Sequence, residues 1–139
     1  MFRVTQQLDF CYGHRLLNYD GKCKYLHGHN GRVVISLEGE KLDERGMLVD
    51  FTDIKRSLRG WIDSALDHRM ILHRDDPILP FLEQLQQPVY VIPHNPTAEN
   101  IARLIFEYAK QQGFPVVEVV LWETDDSRAV YRPEKGQKS

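Results

Sequence analysis

The densest chemistry in the chain lies in the run Cys23-Lys24-Tyr25-Leu26-His27-Gly28-His29-Asn30. Two histidines at i and i+2 on an extended strand point to the same side, with Cα atoms about 6.5–7 Å apart. Their imidazoles can converge on one ion at the ~2.0–2.1 Å that zinc–nitrogen bonds require. Gly28 leaves the opposite face bare between them, so a neighbouring backbone can come close. A third ligand must come from elsewhere in the chain, and His14, at the end of the first predicted strand, is best placed to supply it. Three histidines with an open fourth position describe a catalytic centre, whereas Cys23 as fourth ligand would close it into a structural one. Imidazole also suits iron, copper and nickel, so zinc is a preference among metals.

Other groups add to this. Asp67-His68 places a carboxylate beside an imidazole it can orient and charge, although the pair could equally satisfy the last carbonyls of a preceding helix. Glu123 follows Leu121 on an apolar strand, and a buried carboxylate needs a partner, either a ligand's N–H groups or an arginine. Arg15, Lys22 and Lys24 bring positive charge near the histidine motif, where solvated side chains are the default. Cys11 reads as a small packed residue, and His73 and His94 as surface residues in a loop.

These residues need elements to hold them. Val4, Gln6, Leu8 and Phe10 alternate with Arg3, Thr5, Gln7 and Asp9, which is the period of a strand over 3–10. A second strand is expected from Leu26 to Glu38, with Val33, Ile35 and Leu37 on one side. Met47 to Phe51 reads as a short third strand. Ile54, Leu58, Ile62, Ala65 and Leu66 then recur at helical spacing behind a cap at Thr52 or Asp53. A second helix starts at the N-cap Thr97, carries Ile101, Leu104, Ile105 and Tyr108, and stops at Gly113 and Pro115. The proline-rich segment Leu72 to Pro96 between the helices reads mostly as loop, with a short helix near Phe81 to Gln86. Val116 to Thr124 and Ala129 to Arg132 form a hairpin about Asp125-Asp126-Ser127. The order is that of an α+β domain with helices on one face of an antiparallel sheet.

Composition narrows the function classes. The chain has 139 residues, one domain by length, divided here into a domain over 1–132 and a polar tail over 133–139. Lys plus Arg number 18 and Asp plus Glu 20, a net charge of −2, which argues against a general nucleic-acid binder while permitting a local basic pocket. No apolar run approaches the roughly 20 residues of a membrane span. Met1 to Gln7 lacks the apolar core of a signal peptide, so a cytoplasmic protein with both cysteines, Cys11 and Cys23, as free thiols is expected.

With His14, Cys23, His27 and His29 in view, the chain resembles the 6-pyruvoyltetrahydropterin synthase family, which includes the 6-carboxytetrahydropterin synthases of queuosine biosynthesis. Phe10-Cys11-Tyr12-Gly13-His14-Arg15-Leu16 is similar to its first metal-ligand motif, and Cys23 to Asn30 to its Cys-x-x-x-His-Gly-His motif. Gly46 to Phe51 is similar to the strand entering its first helix, Leu66-Asp67-His68 to its catalytic pair, Pro96 to Asn100 to the start of its second helix, and Glu123-Thr124 to its pterin-anchoring strand end. The chain departs from the family at Tyr12-Gly13, where small Ala or Ser is usual, at Gly31, where an aromatic is usual, and in the length of 72–96.

The resemblance implies a tunnelling fold: a four-stranded antiparallel sheet with two helices on one face, assembling into an oligomeric barrel, usually a hexamer with sites between subunits. It implies a zinc-dependent lyase acting on 7,8-dihydroneopterin triphosphate, with 6-carboxytetrahydropterin as the favoured product and 6-pyruvoyltetrahydropterin as the alternative. His14, His27 and His29 would hold Zn2+, Cys23 and the pair Asp67 and His68 would move protons, and Glu123 with Thr124 would bind the pterin. A non-catalytic zinc- or pterin-binding module and an aldolase-like enzyme for a different pterin are the rival readings.

Overall fold

The computed structural model describes residues 1–134. The polar tail expected over 133–139 therefore lies outside the described residues from position 135 on.

Alternating side chains build the central hairpin. β1 (Phe2–His14) and β2 (His27–Gly39) pair antiparallel along their whole lengths, from Phe2 opposite Gly39 to His14 opposite His27. Leu8, Phe10, Tyr12 and His14 thus share one face with Val33, Gly31, His29 and His27. β5 (Val116–Trp122) adds antiparallel to β2, and β6 (Arg128–Tyr131) to β5. These four strands are the antiparallel part of the sheet.

The sheet is nevertheless six-stranded and mixed, in the order β4-β3-β1-β2-β5-β6, which corrects the expected four-stranded antiparallel arrangement. β3 (Arg69–His73) runs parallel to β1, and β4 (Val89–Ile92) parallel to β3. Much of the segment expected as loop is thus sheet and helix, with α3 (Leu79–Gln84) crossing between the two strands. Runs of four or five residues among prolines carry too little period to announce themselves, and their parallel pairing is non-local.

The strand expected over 47–51 is absent. Asp43 instead folds 43–47 into a turn, its Oδ1 accepting the amides of Arg45 and Met47, with Gly46 at φ +83°. The N-cap of the first helix is Asp50, which accepts the Thr52 amide at 2.8 Å, rather than Thr52 or Asp53.

That helix runs without a break over 51–65, as α1 (Phe51–Ile54), a π turn (Lys55–Arg59) and α2 (Gly60–Ala65). Its buried residues Ile54, Leu58 and Ile62 fall every fourth position, a spacing that 3.6 residues per turn would rotate off the sheet; the wider π turn absorbs the drift. α4 (Ala98–Gln111) is capped by Thr97, whose side chain accepts the Asn100 amide. Both helices cover the same sheet face, where Ile54, Leu58, Ile62 and Leu66 meet Ile101, Ile105 and Phe106 over Leu8, Val33 and Leu121. Full burial of each such side chain favours folding by ~1.5–3 kcal/mol relative to exposure. Trp61 stacks on Tyr108 at 4.1 Å and joins the two helices.

Candidate metal centre and its surroundings

His14 ends β1, and His27 and His29 begin β2, so the register alone sets all three side by side on the helix-covered face. One ring nitrogen from each lies within 4.8 Å of the other two. His14 Nδ1 lies 2.6 Å from the Pro96 carbonyl, and His27 Nδ1 2.7 Å from the Tyr25 carbonyl. A carbonyl can only accept, so each Nδ1 carries the proton and each Nε2 keeps its lone pair. Both Nε2 atoms are buried with no hydrogen-bond partner. Buried acceptors are rarely left unpaired, and a shared cation is what neutral imidazoles in this arrangement fit. Burial pushes the His14 pKa below that of an ordinary histidine, despite the opposing pull of the Pro96 carbonyl and Glu123. The form that ligates metal is therefore the form present at neutral pH.

The setting of His14 depends on residues that carry no motif. The Asn95 side chain accepts the Leu17 amide and donates to the Leu17 carbonyl, both at 2.9 Å. Asn100 in turn donates to the Asn95 carbonyl at 2.9 Å. The chain leaving β1 is thereby tied to the turn that presents the Pro96 carbonyl. Asn95→Ala is expected to weaken metal binding about tenfold, as loss of outer-shell support does, read by competition with a chromophoric chelator.

Arg15 does not face the candidate site freely. Its guanidinium grips the Asp76 carboxylate with two nitrogens, Nε at 2.8 Å, and Asp76 is 3% exposed. Lys22 and Lys24 are exposed, and Lys24 lies over the Tyr25 ring.

Cys23 sits half-buried in a single 3-10 turn (Lys22–Lys24), and its carbonyl accepts the Leu16 amide at 2.8 Å. That bond draws the loop back to the exit of β1, two residues past His14. The metal-capable group is His14, His27 and His29, without Cys23. Glu123, just past β5, brings Oε1 to 3.5 Å from His14 Nε2 and 3.9 Å from His29 Nε2. The Tyr12 hydroxyl donates to the same oxygen at 3.4 Å. Burial, reinforced by the Glu123 charge, pushes the Tyr12 phenol far up, so it keeps its proton.

Asp67 and His68 lie on the opposite, open face. Asp67 Oδ1 accepts the Cys11 amide and Oδ2 meets His68 Nδ1, each at 2.8 Å, so the side chains are pinned to β1, while the Asp67 amide closes the helix end on the Ile62 carbonyl at 2.8 Å. The His68 amide donates to the Cys11 carbonyl, and His68 itself takes φ +58° with its side chain 79% exposed. Thr124 and Cys11 line a cavity of about 610 Å³ with this pair, together with Asp9, Asn30 and Trp122. One chain therefore gathers the histidines and Glu123 on one face, and Asp67, His68 and Thr124 on the other.

Burial raises the Asp67 carboxyl, but the Cys11 amide and His68 outweigh it and hold the group below the usual carboxylate range. A carboxyl depressed in the folded state stabilises fully above the unfolded pKa of about 3.9 and loses that contribution as pH falls through its folded value. Wild type is expected to melt about 2–4 °C above Asp67→Asn near neutral pH, with the gap closing below about pH 4. A gap that widens on acidification would contradict this.

A mixed sheet covered by helices on one face and carrying three convergent histidines at one end places the chain among small α+β proteins with a candidate metal centre. The family model for 6-pyruvoyl tetrahydropterin synthase matches residues 3–134. The chain belongs to that family. It is 37% identical over 131 residues to the 6-carboxy-5,6,7,8-tetrahydropterin synthase of Rickettsia bellii, covering 89% of this chain and 95% of the relative. It is 31% identical to the enzyme of that name from Haemophilus influenzae, covering 95% of this chain and 99% of the relative. Among solved structures, an uncharacterized protein from Wolinella succinogenes superposes with TM-score 0.78 at 28% identity, over 96% of this chain and 98% of that one. The 6-pyruvoyl tetrahydropterin synthase of Caenorhabditis elegans does so with TM-score 0.72 at 23% identity, over 96% of each chain, and shares the tunnelling fold.

Proposed function

We propose that this protein converts 7,8-dihydroneopterin triphosphate and water into 6-carboxy-5,6,7,8-tetrahydropterin, acetaldehyde and triphosphate, as a cytoplasmic single-domain enzyme over 1–132. The observation that carries the chemistry is the convergence of three imidazoles, two of which, His14 and His27, hold buried, unpartnered Nε2 atoms. The product assignment is supported by the relatives that bear the 6-carboxy name at 31–38% identity over most of the chain.

His14, His27 and His29 would hold a zinc ion, which when bound supplies Lewis acidity to the oxygens of the substrate side chain. Glu123 accepts hydrogen bonds from the adjacent ring N–H and amino group of the pterin, a planar two-point match to a carboxylate, and Thr124, which lines the cleft of Asp67 and His68, binds the pterin held by a neighbouring subunit. Cys23 removes and returns a proton at the side-chain carbons. Asp67 orients His68, which serves as the second acid–base group.

The separation of Asp67 and His68 from the histidine cluster by the sheet supports a site shared between subunits of a homo-oligomer, a hexamer on the family pattern. Two variants, Cys23→Ala and Asp67→Asn, each inactive alone, are then expected to recover activity when unfolded together and refolded as mixed assemblies. Recovery no greater than the sum of the separate samples would rule out the shared site.

The reaction itself is tested by incubating zinc-loaded protein with dihydroneopterin triphosphate and identifying products by mass spectrometry. 6-Carboxytetrahydropterin with acetaldehyde is expected. Formation of 6-pyruvoyltetrahydropterin without acetaldehyde would reassign the product, and unchanged substrate would sink the catalytic reading.

A further inference from the structure

Tyr12 occupies a position that no chemical motif announces. Its side chain is 1% exposed, stacked on Phe10 at 5.1 Å, edge-on to His14 at 5.3 Å and 5.7 Å from His29. The space its ring fills exists because residue 31 is glycine. A Cβ there would stand 2.9 Å from Tyr12 Cε1 and 3.4 Å from both Phe10 Cε1 and Leu121 Cδ1. Ring and glycine are therefore fitted to each other across the β1–β2 hairpin, and close packing leaves the ring one place.

That place aims the hydroxyl at Glu123. Three polar atoms surround Glu123 Oε1: the Tyr12 hydroxyl at 3.4 Å, His14 Nε2 at 3.5 Å and His29 Nε2 at 3.9 Å. The His14 Nδ1–H donates to the Pro96 carbonyl, so the neutral ring has no proton on Nε2 to offer the carboxylate. Among the described residues, the phenol is the hydrogen-bond donor to the Glu123 side chain. A half-buried carboxylate beside three imidazoles would otherwise be free to swing onto whatever cation they hold.

We propose that Tyr12 is the positioning residue of Glu123, its hydroxyl keeping the carboxylate turned to receive a planar heterocycle that presents adjacent N–H donors. This rests on the reading of Glu123 as the substrate anchor. Gly31 belongs to the same device, because any larger residue there displaces the ring that carries the hydroxyl.

The test measures binding of neopterin, a stable oxidised pterin, by fluorescence to zinc-loaded wild type, Tyr12→Phe, Glu123→Gln, the double variant and Gly31→Ala. Tyr12→Phe is expected to weaken binding about fivefold while metal content is retained. The double variant should bind no worse than Glu123→Gln, because Tyr12 acts through that carboxylate, and Gly31→Ala should behave like Tyr12→Phe. With substrate, KM should rise by a larger factor than kcat falls. Additive losses in the double variant, or loss of metal from Tyr12→Phe, would overturn the proposal. If wild type itself binds no neopterin, the substrate reading fails, and the same four variants are compared by melting temperature. Shifts for Tyr12→Phe and Glu123→Gln that do not add would then sustain the contact. Additive shifts would refute it.

Discussion

His14→Ala is expected to lower metal affinity more than about 100-fold and to abolish turnover, since outer-shell losses alone reach 10–100-fold. His14 is the most buried of the three histidines, 2% exposed, and the one whose tautomer is set by a backbone carbonyl remote in sequence, that of Pro96, 82 residues on. Alanine would leave His27 and His29 with two ligands and the Pro96 carbonyl without its donor, so some loss of stability accompanies loss of metal. Metal content by mass spectrometry, with added zinc failing to restore activity at ordinary concentrations, is the measurement. His94→Ala serves as the control, being an exposed histidine outside the cluster. A His14→Ala protein that retains full metal and turnover would remove the centre from this site.

Cys23→Ala should separate binding from chemistry. The metal-capable group contains no sulfur, so metal content and affinity are expected to stay at the wild-type level. Turnover should fall by about 10²- to 10⁴-fold, the usual worth of a positioned proton-transfer group. The fold should tolerate the change, because the half-buried residue tethers its loop through its backbone carbonyl rather than its side chain. Metal loss in Cys23→Ala would instead make the thiolate a fourth ligand and the centre a closed, structural one. Unaltered turnover would remove Cys23 from the proton transfers and leave them to other groups. Serine at the same position distinguishes loss of the thiol's acidity from loss of its volume, since it keeps the size and a weaker acid.

Much of the candidate site was legible in local pattern. His27-Gly28-His29 shows its shared face through the period of a strand, and His14 meets it because two alternating segments form one hairpin. Glu123 was legible as a carboxylate on a buried strand that needed a partner. What escaped were residues whose contribution passes through the backbone. Pro96 supports His14 with a carbonyl, which every residue has, and Asn95 works by bonding the main chain of Leu17. Tyr12 and Gly31 stood out as departures from a family pattern, but their reciprocal fit appears only once Phe10 faces Gly31 in the register.

The sequence by itself determined the two alternating strands that carry the histidine triad, the β5–β6 hairpin and the two helices on one face, because each follows from periodicity or turn chemistry within a short window. The tertiary structure alone decided the rest. β3 became a strand because β1 offered it a free edge, and β4 because β3 offered it the next. It also decided that Asp67 and His68 bond to Cys11 across 56 residues of sequence and open onto the sheet face away from the metal centre. Parallel pairing, side-chain tethers to remote backbone and the choice of sheet face are long-range contacts. Their energy depends on which surfaces meet, and no local run of residues encodes that.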